Sequence, residues 1–445
     1  MVILYNKKHV RSFLETDAFD ALFRKYKSSS ILVYSEEVSH FFLKRKINSK
    51  KLKISSNFTY KLGRLLYSSL LWRKKHVATS YYRRAMFNYA RKKDRLKNVY
   101  PTSKLDNSGH EFYRLLVRVI SIKFIYSPLY SLRKSYLNFY FTRLFDKSKI
   151  DLTEINAVFV PFSGLISPIF DDLINFFNFK GIKTIAIQDN WDNLSSKTFI
   201  NSNPSYFCVW GEQSAAHVTN FHSMKGSEIV VTGSARLVPY YSNLKKFKKY
   251  RQIPIELEPM IRHKYILFVG TGDGVDDYSI LHKVIRSIYS KSNFQIVYRP
   301  HPFTRTEIEP LKLKELKKLG VILDRNLNSN RVYHHCGLVM NADLIIAQLS
   351  SIIVEGLLCN QKILIPSFVY RKVNYDYMDA INTYPHLIGL AAIPNIFVSR
   401  IESNFVHDLA FALNSPKLLS SNSANWFAAK IETNKKLLKL FEMIN

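Results

Sequence analysis

The chain has 445 residues, and its 65 Lys and Arg against 34 Asp and Glu leave a net charge of +31. Because 47% of the residues are hydrophobic and 14% are aromatic, a core can form, and a disordered chain is excluded. Three cysteines cannot staple a chain of this length, which excludes a secreted disulfide scaffold and favours the cytoplasm. The length predicts two or three domains.

The positive charge is concentrated in residues 41–150, which we call the basic region. This region holds 27 Lys and Arg and four acids, so it carries +23 of the net charge. The longest apolar runs, such as Leu344–Ala347 and Ile352–Leu358, are broken by polar residues well before the length of about 18 residues that a membrane-spanning helix needs. We therefore expect neither a transmembrane helix nor a signal peptide.

Short runs rich in β-branched residues alternate along the chain with helical patterns. Because these runs lack polar/apolar alternation, they are typical of strands buried on both faces of a parallel sheet. Strands are predicted at Ile3–Tyr5, Ile31–Tyr34, Ala157–Val160, Thr184–Gln188, Tyr206–Val209, Glu228–Thr232, Tyr265–Val269, Phe294–Tyr298, Leu344–Ala347 and Lys362–Ile365. Helices are predicted between them, for example at Pro168–Phe179 and Tyr278–Ser290.

This order of elements predicts the α/β class, with two Rossmann-like domains facing each other across a cleft. We expect an N-terminal domain at residues 1–245, with a basic helical insertion at about 41–150, and a C-terminal domain at residues 258–445. The polar stretch Tyr241–His263 predicts the boundary between the two. Open parallel sheets bind ligands at the carboxyl ends of their strands, so the residues that follow each strand are the site candidates.

The predicted strand Thr184–Gln188 is followed by a polar stretch at residues 189–197. A carboxylate at the end of a strand can act as a general base, so Asp189 and Asp192 are the candidate catalytic acids. The alternative is an Asx-rich turn in which one of the two aspartates caps a helix.

Two further strand ends suit an anionic group. The predicted strand Glu228–Thr232 leads into a turn with Ser234 and Arg236, which fits a phosphate and a solvated turn equally well. After Tyr265–Val269, the sequence Gly-Thr-Gly-Asp-Gly around Gly272 can cradle a phosphate on backbone N–H groups. It lacks the Lys and Ser/Thr of a P-loop, so a plain glycine-rich turn is the alternative.

The predicted strand Phe294–Tyr298 ends in the sequence Arg-Pro-His-Pro. The two prolines hold His301 in a stiff, extended segment, which pre-organises its imidazole for a phosphate or leaving-group oxygen. Arg299 lies beside it and suits the same anion. A structural role is the alternative for a lone histidine, but the two flanking prolines favour function.

Paired serines follow the predicted strand Leu344–Ala347 and open an apolar helix. Ser350 and Ser351 can donate hydroxyl and amide hydrogens to an anion held at the helix N-terminus. The alternative is that one serine caps the helix and the other is idle. Glu355, one turn later, fits either a capping box or a ribose hydroxyl, and the sequence leaves both open.

An acidic strand-end motif, then His-Pro, then Ser-Ser, in that order, resembles the bacterial sialyltransferase and Kdo-transferase group of GT-B glycosyltransferases. It is also similar to the CDP-glycerol glycerophosphotransferase family, which has a comparable His-Pro and a late Ser-Ser. The stretches 191–197, 209–212 and 231–236 look like bacterial surface-polysaccharide glycosyltransferases. The resemblance covers about residues 159–366 and leaves out the basic region.

The resemblance implies an acceptor-binding N-terminal domain and a C-terminal domain that binds the nucleotide donor. Asp189 would be the base that deprotonates the acceptor hydroxyl, and His301 would contact the nucleotide phosphate. Sialyltransferases have two acids and a glycine where this chain has Gln-Asp-Asn, so Asp192 is a rival base. The expected donor-binding residues are Ser234, Arg236, Gly272, Arg299, Ser350, Ser351 and Glu355.

The resemblance also sets the expected ligands. Such families need no bound metal, and adjacent His334 and His335 lack ligand spacing, so no metal or other cofactor is expected. The expected donor is a nucleotide sugar, CMP-linked, and the acceptor is a polysaccharide or lipid-linked saccharide in O-antigen or capsule biosynthesis. The alternatives are a CDP-polyol phosphotransferase, a nucleotide-sugar epimerase and a nucleic-acid-binding protein.

The basic region allows three interpretations. Interleaved aromatic and basic residues at 81–93 are typical of nucleic-acid binding. Leu65, Leu66, Leu70 and Leu71 lie at helical spacing near basic residues, a pattern suited to anionic lipid headgroups. A helical subdomain with a solvated basic face is the third. We expect attachment to an anionic membrane surface, peripheral on the cytoplasmic side of the inner membrane, and no nucleic-acid partner.

Overall fold

The chain forms two compact units, each built on one parallel sheet. The first unit holds Met1–Ala235 with Thr433–Asn445, and the second holds Arg236–Glu432. The computed structural model describes residues 1–4, 9–26, 31–33, 49–51, 57–73, 107–162, 169–197, 200–222, 229–270, 276–288, 294–301, 310–324, 333–368, 381–382, 384–418 and 421–444.

The sheet of the first unit has seven parallel strands among the described residues, in the order β3-β2-β1-β4-β5-β6-β7. The strands are β1 (Val2–Leu4), β2 (Ile31–Val33), β3 (Ser49–Lys51), β4 (Ala157–Phe162), β5 (Lys183–Gln188), β6 (Tyr206–Val209) and β7 (Ile229–Val231). Strand order runs outward in opposite directions from β1 and β4. Phe162 pairs with Gln188, so β4 and β5 end side by side.

The sheet of the second unit has six parallel strands in the described part of the chain, in the order β10-β9-β8-β11-β12-β13. The strands are β8 (Tyr265–Val269), β9 (Gln295–Arg299), β10 (Ile322–Leu323), β11 (Leu344–Ala347), β12 (Ile363–Pro366) and β13 (Ile396–Ser399). The strand order reverses between β8 and β11, the kind of crevice where open α/β sheets bind ligands. Val269 pairs with Ala347 at this point.

Helices connect the strands of both sheets. In chain order they are α1 (Asp20–Lys25), α2 (Asn57–Arg73), α3 (Asn107–Ile120), α4 (Lys123–Lys147), α5 (Ile169–Phe179), α6 (Glu212–His222), α7 (Asp277–Ile288), α8 (Pro310–Lys318), α9 (Cys336–Asn341), α10 (Ile352–Leu358), α11 (Phe405–Asn414), α12 (Ser421–Phe427) and α13 (Thr433–Ile444). No described helix is long and apolar enough to cross a lipid bilayer.

The core of the first unit lies on both faces of its sheet. Successive residues of β4 point to opposite faces, so Val158 packs in one apolar cluster and Phe159 in the other. On the first of these faces α4 lies against α5, where the ring of Phe145 stacks on that of Phe176 at 5.3 Å. A buried ion pair between Arg133 and Asp172 ties the two helices together.

The predicted strands are all present and parallel, with ends shifted by at most two residues. Three strands escape prediction: β3, β10 and β13. β3 reads Ser-Lys-Lys and β10 has two residues, so neither carries an apolar run that marks a strand. β3 also lies inside the predicted insertion at 41–150, yet it pairs with the sheet.

The division of the chain differs from the predicted domains in two ways. The units divide between Ala235 and Arg236, so the stretch Tyr241–His263 belongs to the second unit instead of marking the boundary. Helix α13 belongs to the first unit, because Phe441 packs its ring on Tyr26 at 4.8 Å and on Phe159 at 6.2 Å.

The described parts of the basic region contain the three helices α2, α3 and α4. Leu66 and Leu70 of α2 are buried in a small apolar cluster with Ile120 and Tyr126. The prediction that this leucine stripe faces a membrane is therefore wrong for these two residues, because they form the core between the helices. The interleaved stretch 81–93 lies outside the described residues.

Candidate functional site

In the first unit, the loop after β5 is held in place by hydrogen bonds to the main chain. The amide nitrogen of Gln188 donates to the carbonyl of Asn190 at 3.0 Å, and its oxygen accepts from the N–H of Trp210 at 2.9 Å. The indole N–H of Trp191 donates to Gln213 at 2.8 Å. Gln188 and Trp191 therefore hold the loop in one conformation.

Asp189 emerges from this fixed loop, and it is 6% exposed. Its N–H donates to the carbonyl of Phe162 at 3.1 Å, but its side-chain oxygen Oδ1 is buried without a hydrogen-bond partner among the described residues. Leaving a buried polar atom unsatisfied costs about 1–3 kcal/mol. Such atoms are rare in folded proteins, and this one can accept a proton or a hydrogen bond from a ligand.

Asp192, the rival base, is half-buried, and its Oδ1 accepts a hydrogen bond from the side chain of Asn190 at 3.1 Å. The helical turn that follows, Asn193–Lys197, is anchored separately, because Asn193 donates to the carbonyl of Phe162 at 3.0 Å. Of the two predicted bases, Asp189 is the one with a buried, unsatisfied carboxylate oxygen. The geometry favours it over Asp192.

The turn after β7 carries the other site residues predicted in this part of the chain. Gly233 has a φ of 68°, which lets the chain turn directly after the strand. Ser234 is half-buried in this turn. Arg236 follows two residues later, at the start of the second unit.

In the second unit, Gly270 ends β8 at a point where no side chain fits. A Cβ atom there would lie 2.6 Å from Oδ2 of Asp277 and 2.9 Å from the backbone nitrogen of His301. The N–H of Gly270 donates to the carbonyl of Arg299 at 2.8 Å. The half-buried His301 is thus placed directly against the end of the neighbouring strand β8, at the carboxyl edge where a ligand is expected.

The predicted anion ligand Arg299 has a partner inside the protein. Its guanidinium contacts the carboxylate of Asp324 at 2.5 Å, and Asp324 is buried. Nε2 of His334 lies 3.4 Å from the other carboxylate oxygen of Asp324. The donor-binding role of Arg299 stays a prediction, and the structure adds that a buried acid holds its guanidinium in position.

Glu355 of α10 is the centre of a buried polar network. Its Oε2 atom accepts hydrogen bonds from the hydroxyl of Tyr240 at 2.7 Å and from Nε2 of His335 at 2.8 Å. The guanidinium of Arg236 lies 3.8 Å from Oε1 and donates to the hydroxyl of Ser351 at 3.2 Å. The structure therefore brings together three predicted residues and adds two that the sequence did not indicate, Tyr240 and His335.

These contacts shift the titration of the network. Burial alone would raise the pKa of Glu355, but His335, Arg236 and Tyr240 outweigh it and lower the pKa to about 2. Burial, then the positive charge of Arg299, lowers the pKa of His335. At neutral pH the pair is therefore a carboxylate and a neutral imidazole. Because a carboxylate only accepts, Nε2 carries the imidazole proton and Nδ1 keeps a lone pair.

The paired serines have different environments. Ser350 is exposed, while Ser351 occupies the N-cap position of α10 without a side-chain capping bond. Since the carboxylate of Glu355 is bonded to Tyr240 and His335, the predicted capping box is not formed. The hydroxyl of Ser351 is aligned by Arg236 instead, which sets a hydroxyl and a guanidinium next to each other.

Three buried polar side chains at the same edge of the second sheet have no hydrogen-bond partner among the described residues. The side chains are those of Gln348, Ser367 and Ser399. The unsatisfied atoms are the amide nitrogen and oxygen of Gln348 and the two serine hydroxyls. They stand at the carboxyl ends of β11, β12 and β13, and the N–H of Ser367 donates to the carbonyl of Ser399 at 2.7 Å. Unsatisfied hydroxyls and an amide at adjacent strand ends are groups that a polar ligand can satisfy.

Gly272, with the rest of its glycine-rich turn, lies outside the described residues, so its phosphate-binding role stays a prediction. Within the described ranges, no group of three or more His, Cys, Asp and Glu side chains could hold a metal ion. Metal independence likewise stays a prediction.

Searches against protein-family models and curated proteins found no match. The fold is shared by solved structures. The UDP-GlcNAc 2-epimerase from Methanocaldococcus jannaschii matches with 10% identity and a TM-score of 0.55 over 99% of each chain. MnaA from S. aureus, solved with UDP, matches with 11% identity and a TM-score of 0.53 over 100% of this chain and 97% of that one.

The wall teichoic acid polymerase TagF, in a structure soaked with CDPG, matches with 8% identity and a TM-score of 0.52 over 100% of this chain and 88% of TagF. At such identities the likeness shows the fold alone. That fold is α/β with two Rossmann-like sheets, as in the GT-B proteins, and it confirms the predicted fold class. The resemblance to sialyltransferases and Kdo-transferases stays a prediction.

Proposed function

We propose that this protein is a glycosyltransferase that moves a sugar from a nucleotide-activated, CMP-linked donor to a saccharide acceptor in surface-polysaccharide biosynthesis. The observation that carries the proposal is Asp189, a buried carboxylate at the end of β5 with one oxygen that no described residue satisfies. Transfer to a hydroxyl needs one base, and a carboxylate fixed by its own loop suits that task.

In the proposed reaction, Asp189 takes the proton of the acceptor hydroxyl as its oxygen attacks the anomeric carbon of the donor. The bond from that carbon to the phosphate oxygen breaks, and the nucleotide leaves with the electron pair. His301, Ser351 and Arg236 are the groups proposed to stabilise the negative charge on the departing phosphate. Arg299, Gly272, Ser350, Ser234 and Glu355 complete the proposed donor-binding set, with Glu355 acting through Arg236.

Two alternatives share the fold. The likeness to TagF supports transfer of a polyol phosphate from a CDP-linked donor. The likeness to the UDP-GlcNAc 2-epimerase and to MnaA, which was solved with UDP, supports a nucleotide-sugar epimerase. An epimerase changes its substrate without an acceptor, whereas a transferase releases nucleotide only when an acceptor is present.

Thermal unfolding with CMP, CDP, UDP and GDP tests the donor class. A nucleotide at about 100 times its Kd stabilises the protein by about 2.7 kcal/mol, which raises the unfolding temperature by several degrees. We expect the largest rise with CMP. A rise with UDP alone contradicts a cytidine donor, and no rise with any nucleotide contradicts the proposed function.

A second experiment separates transferase from epimerase. The purified protein is incubated with the sugar nucleotide of the stabilising base, with and without saccharide acceptors, and the products are resolved by NMR. We expect free nucleotide only with an acceptor. Return of an isomeric sugar nucleotide without acceptor identifies an epimerase, and acceptor-bound polyol phosphate identifies the phosphotransferase.

We also propose that the protein works in the cytoplasm, peripheral on the inner membrane. Lipid-linked acceptors are held in a membrane leaflet, and the basic region, with +23 of the net charge, suits an anionic leaflet. No nucleic-acid partner is proposed, because nucleic-acid binding would leave the polar strand ends of both sheets unexplained.

A further inference from the structure

Helix α4 of the first unit exposes large apolar side chains along one side. Phe124 is 89% exposed and Leu132 is 70% exposed, and Tyr136 and Phe139 are about half exposed. Their spacing of eight, four and three residues places all four on one stripe of the helix. We call this stripe the α4 apolar face.

The α4 apolar face is not the side that packs on the rest of the unit. The buried residues of α4 are Tyr126, Arg133, Leu137, Phe141 and Phe145. Phe141 and Phe145 pack on Phe176 of α5, and the preceding helix α3 exposes Phe112 and Leu115. A helix that buries one apolar side and exposes large apolar side chains on the opposite side is typical of an interaction site.

The charges around this face are almost all positive. Between residues 112 and 147 the sequence has one acid, Asp146. The cation Arg133 is neutralised in the interior by Asp172 at 2.5 Å. Among the side chains that the structure describes, the exposed cations of α3 and α4 are Arg118, Lys123, Lys134, Arg143 and Lys147. Arg143 lies over the ring of Phe139 at 4.2 Å, so charge and apolar surface are contiguous.

We propose that the α4 apolar face binds an anionic lipid bilayer, with its aromatic and leucine side chains inserted among the headgroups. Exposed Phe and Leu beside Lys and Arg, with almost no acid, match the chemistry of an anionic interface. The inference deepens the proposed function by naming the surface that brings the protein to its membrane. It replaces the leucine stripe of α2, in which Leu66 and Leu70 are buried.

Flotation with vesicles tests this surface without measuring activity. The full chain is mixed with vesicles of phosphatidylcholine alone or with phosphatidylglycerol. The test variant carries Phe124→Glu, Leu132→Glu and Phe139→Glu. The matched control carries the same three charges on exposed apolar residues of the second unit, as Ile255→Glu, Leu311→Glu and Ile401→Glu.

We expect the wild type and the control to float with the anionic vesicles, and the test variant to lose binding by at least about tenfold. Equal flotation of the test variant and the control overturns the proposal. So does a wild-type dimer that the test variant dissociates, measured by light scattering, with flotation unchanged, since the face then binds a second copy. Wild-type protein that floats equally with neutral vesicles, or equally at high salt, overturns the anionic specificity.

The melting temperature of each variant, with and without CMP, accompanies the flotation. A test variant that melts like the wild type and keeps the nucleotide-induced rise is folded with an intact site. Its loss of flotation then reports on the α4 apolar face alone. The converse outcome is a wild type that floats through this face although no nucleotide stabilises it. That result contradicts the proposed reaction and supports the membrane-binding surface.

Discussion

Two buried carboxylates, one in each unit, follow strands of the two sheets and differ in their surroundings. Oδ1 of Asp189 has no hydrogen-bond partner among the described residues, although Gln188 anchors the loop with hydrogen bonds to Asn190 and Trp210. Glu355 has a hydroxyl, an imidazole and a guanidinium around it. We propose that the first reacts, whereas the second holds Arg236 and His335 in position. The hydrogen-bond partners of a buried carboxylate, and not its residue type, thus indicate whether it suits the role of a base or of a positioning residue.

The largest expected effect is the loss of the proposed base. Asp189→Asn keeps the shape of the side chain and removes its ability to take a proton, so turnover should fall by about 10²–10⁴-fold. Initial rates with donor and acceptor measure this. Asp192→Asn is the matched control and should keep turnover within about threefold. A large loss of turnover in Asp192→Asn, with turnover kept in Asp189→Asn, would identify Asp192 as the base.

Glu355→Gln tests the network of the second unit. Removing one partner of a buried charge cluster leaves Arg236 unbalanced, so the free energy of unfolding should fall by about 3 kcal/mol. Urea unfolding measures it. The control is Glu402→Gln, whose exposed carboxylate pairs with Lys283 at 2.5 Å and should cost under about 0.5 kcal/mol. Similar losses in the two variants would show that the network contributes nothing beyond a surface pair.

The lowered pKa of Glu355 predicts that the free energy of unfolding depends on pH in the acid range. Its pKa is lowered from an ordinary 4.5 to about 2, so its stabilisation is complete above pH 4.5 and disappears as the pH falls towards 2. The change is on the order of 3 kcal/mol. The stability difference between wild type and Glu355→Gln should therefore narrow over this range. A difference that stays constant from pH 6 to pH 3 would contradict the lowered pKa.

Gly270→Ala tests the close approach at the end of β8. The added methyl would meet Asp277 and the backbone of His301, so we expect a loss of about 1–3 kcal/mol and a weaker nucleotide-induced rise in melting temperature. A Cβ added at Gly181 would have no described atom within 4 Å beyond its chain neighbours, so Gly181→Ala should cost only backbone strain, with the nucleotide effect unchanged. An unaltered nucleotide effect in Gly270→Ala would place His301 outside the site.

The smallest expected effect is that of Tyr240→Phe. It removes one hydrogen bond to a buried carboxylate and leaves the ring in place, which should cost about 1.5 kcal/mol. Tyr278→Phe is the control, because its hydroxyl bonds Glu315 at the surface and should matter little. Burial and the charge of Glu355 raise the pKa of Tyr240, so it stays a donor at neutral pH. Equal effects in both variants would remove Tyr240 from the network.

Much of this arrangement could be predicted because it is local in sequence. Buried parallel strands are apolar runs, so β5, β8, β9 and β11 were found, and the residues after them followed from the rule that sites lie at carboxyl ends. Asp189 and His301 are of this kind. Which of two nearby aspartates keeps a free oxygen depends on side-chain geometry, and the sequence left that choice open.

The partners of Glu355 could not be predicted, because they are distant along the chain. Tyr240 lies 115 residues away and His335 lies 20 away. The sequence offered His335 only as one of two adjacent histidines, a spacing that does not fit a metal site, so no role was predicted for it. Ser367 and Ser399 are lone serines with no pattern around them, and only the pairing of β12 with β13 brings them together.

The return of α13 to the first unit has a consequence for biosynthesis. Tyr26 and Phe159 are made early, but the ring that covers them, Phe441, is made more than 280 residues after Phe159. The second unit, Arg236–Glu432, is an insertion within the first and is synthesised while the first still lacks its last helix. The earlier part of the chain thus completes its core later, and a nascent chain interrupted before Thr433–Asn445 is made would leave the first unit open, not the second.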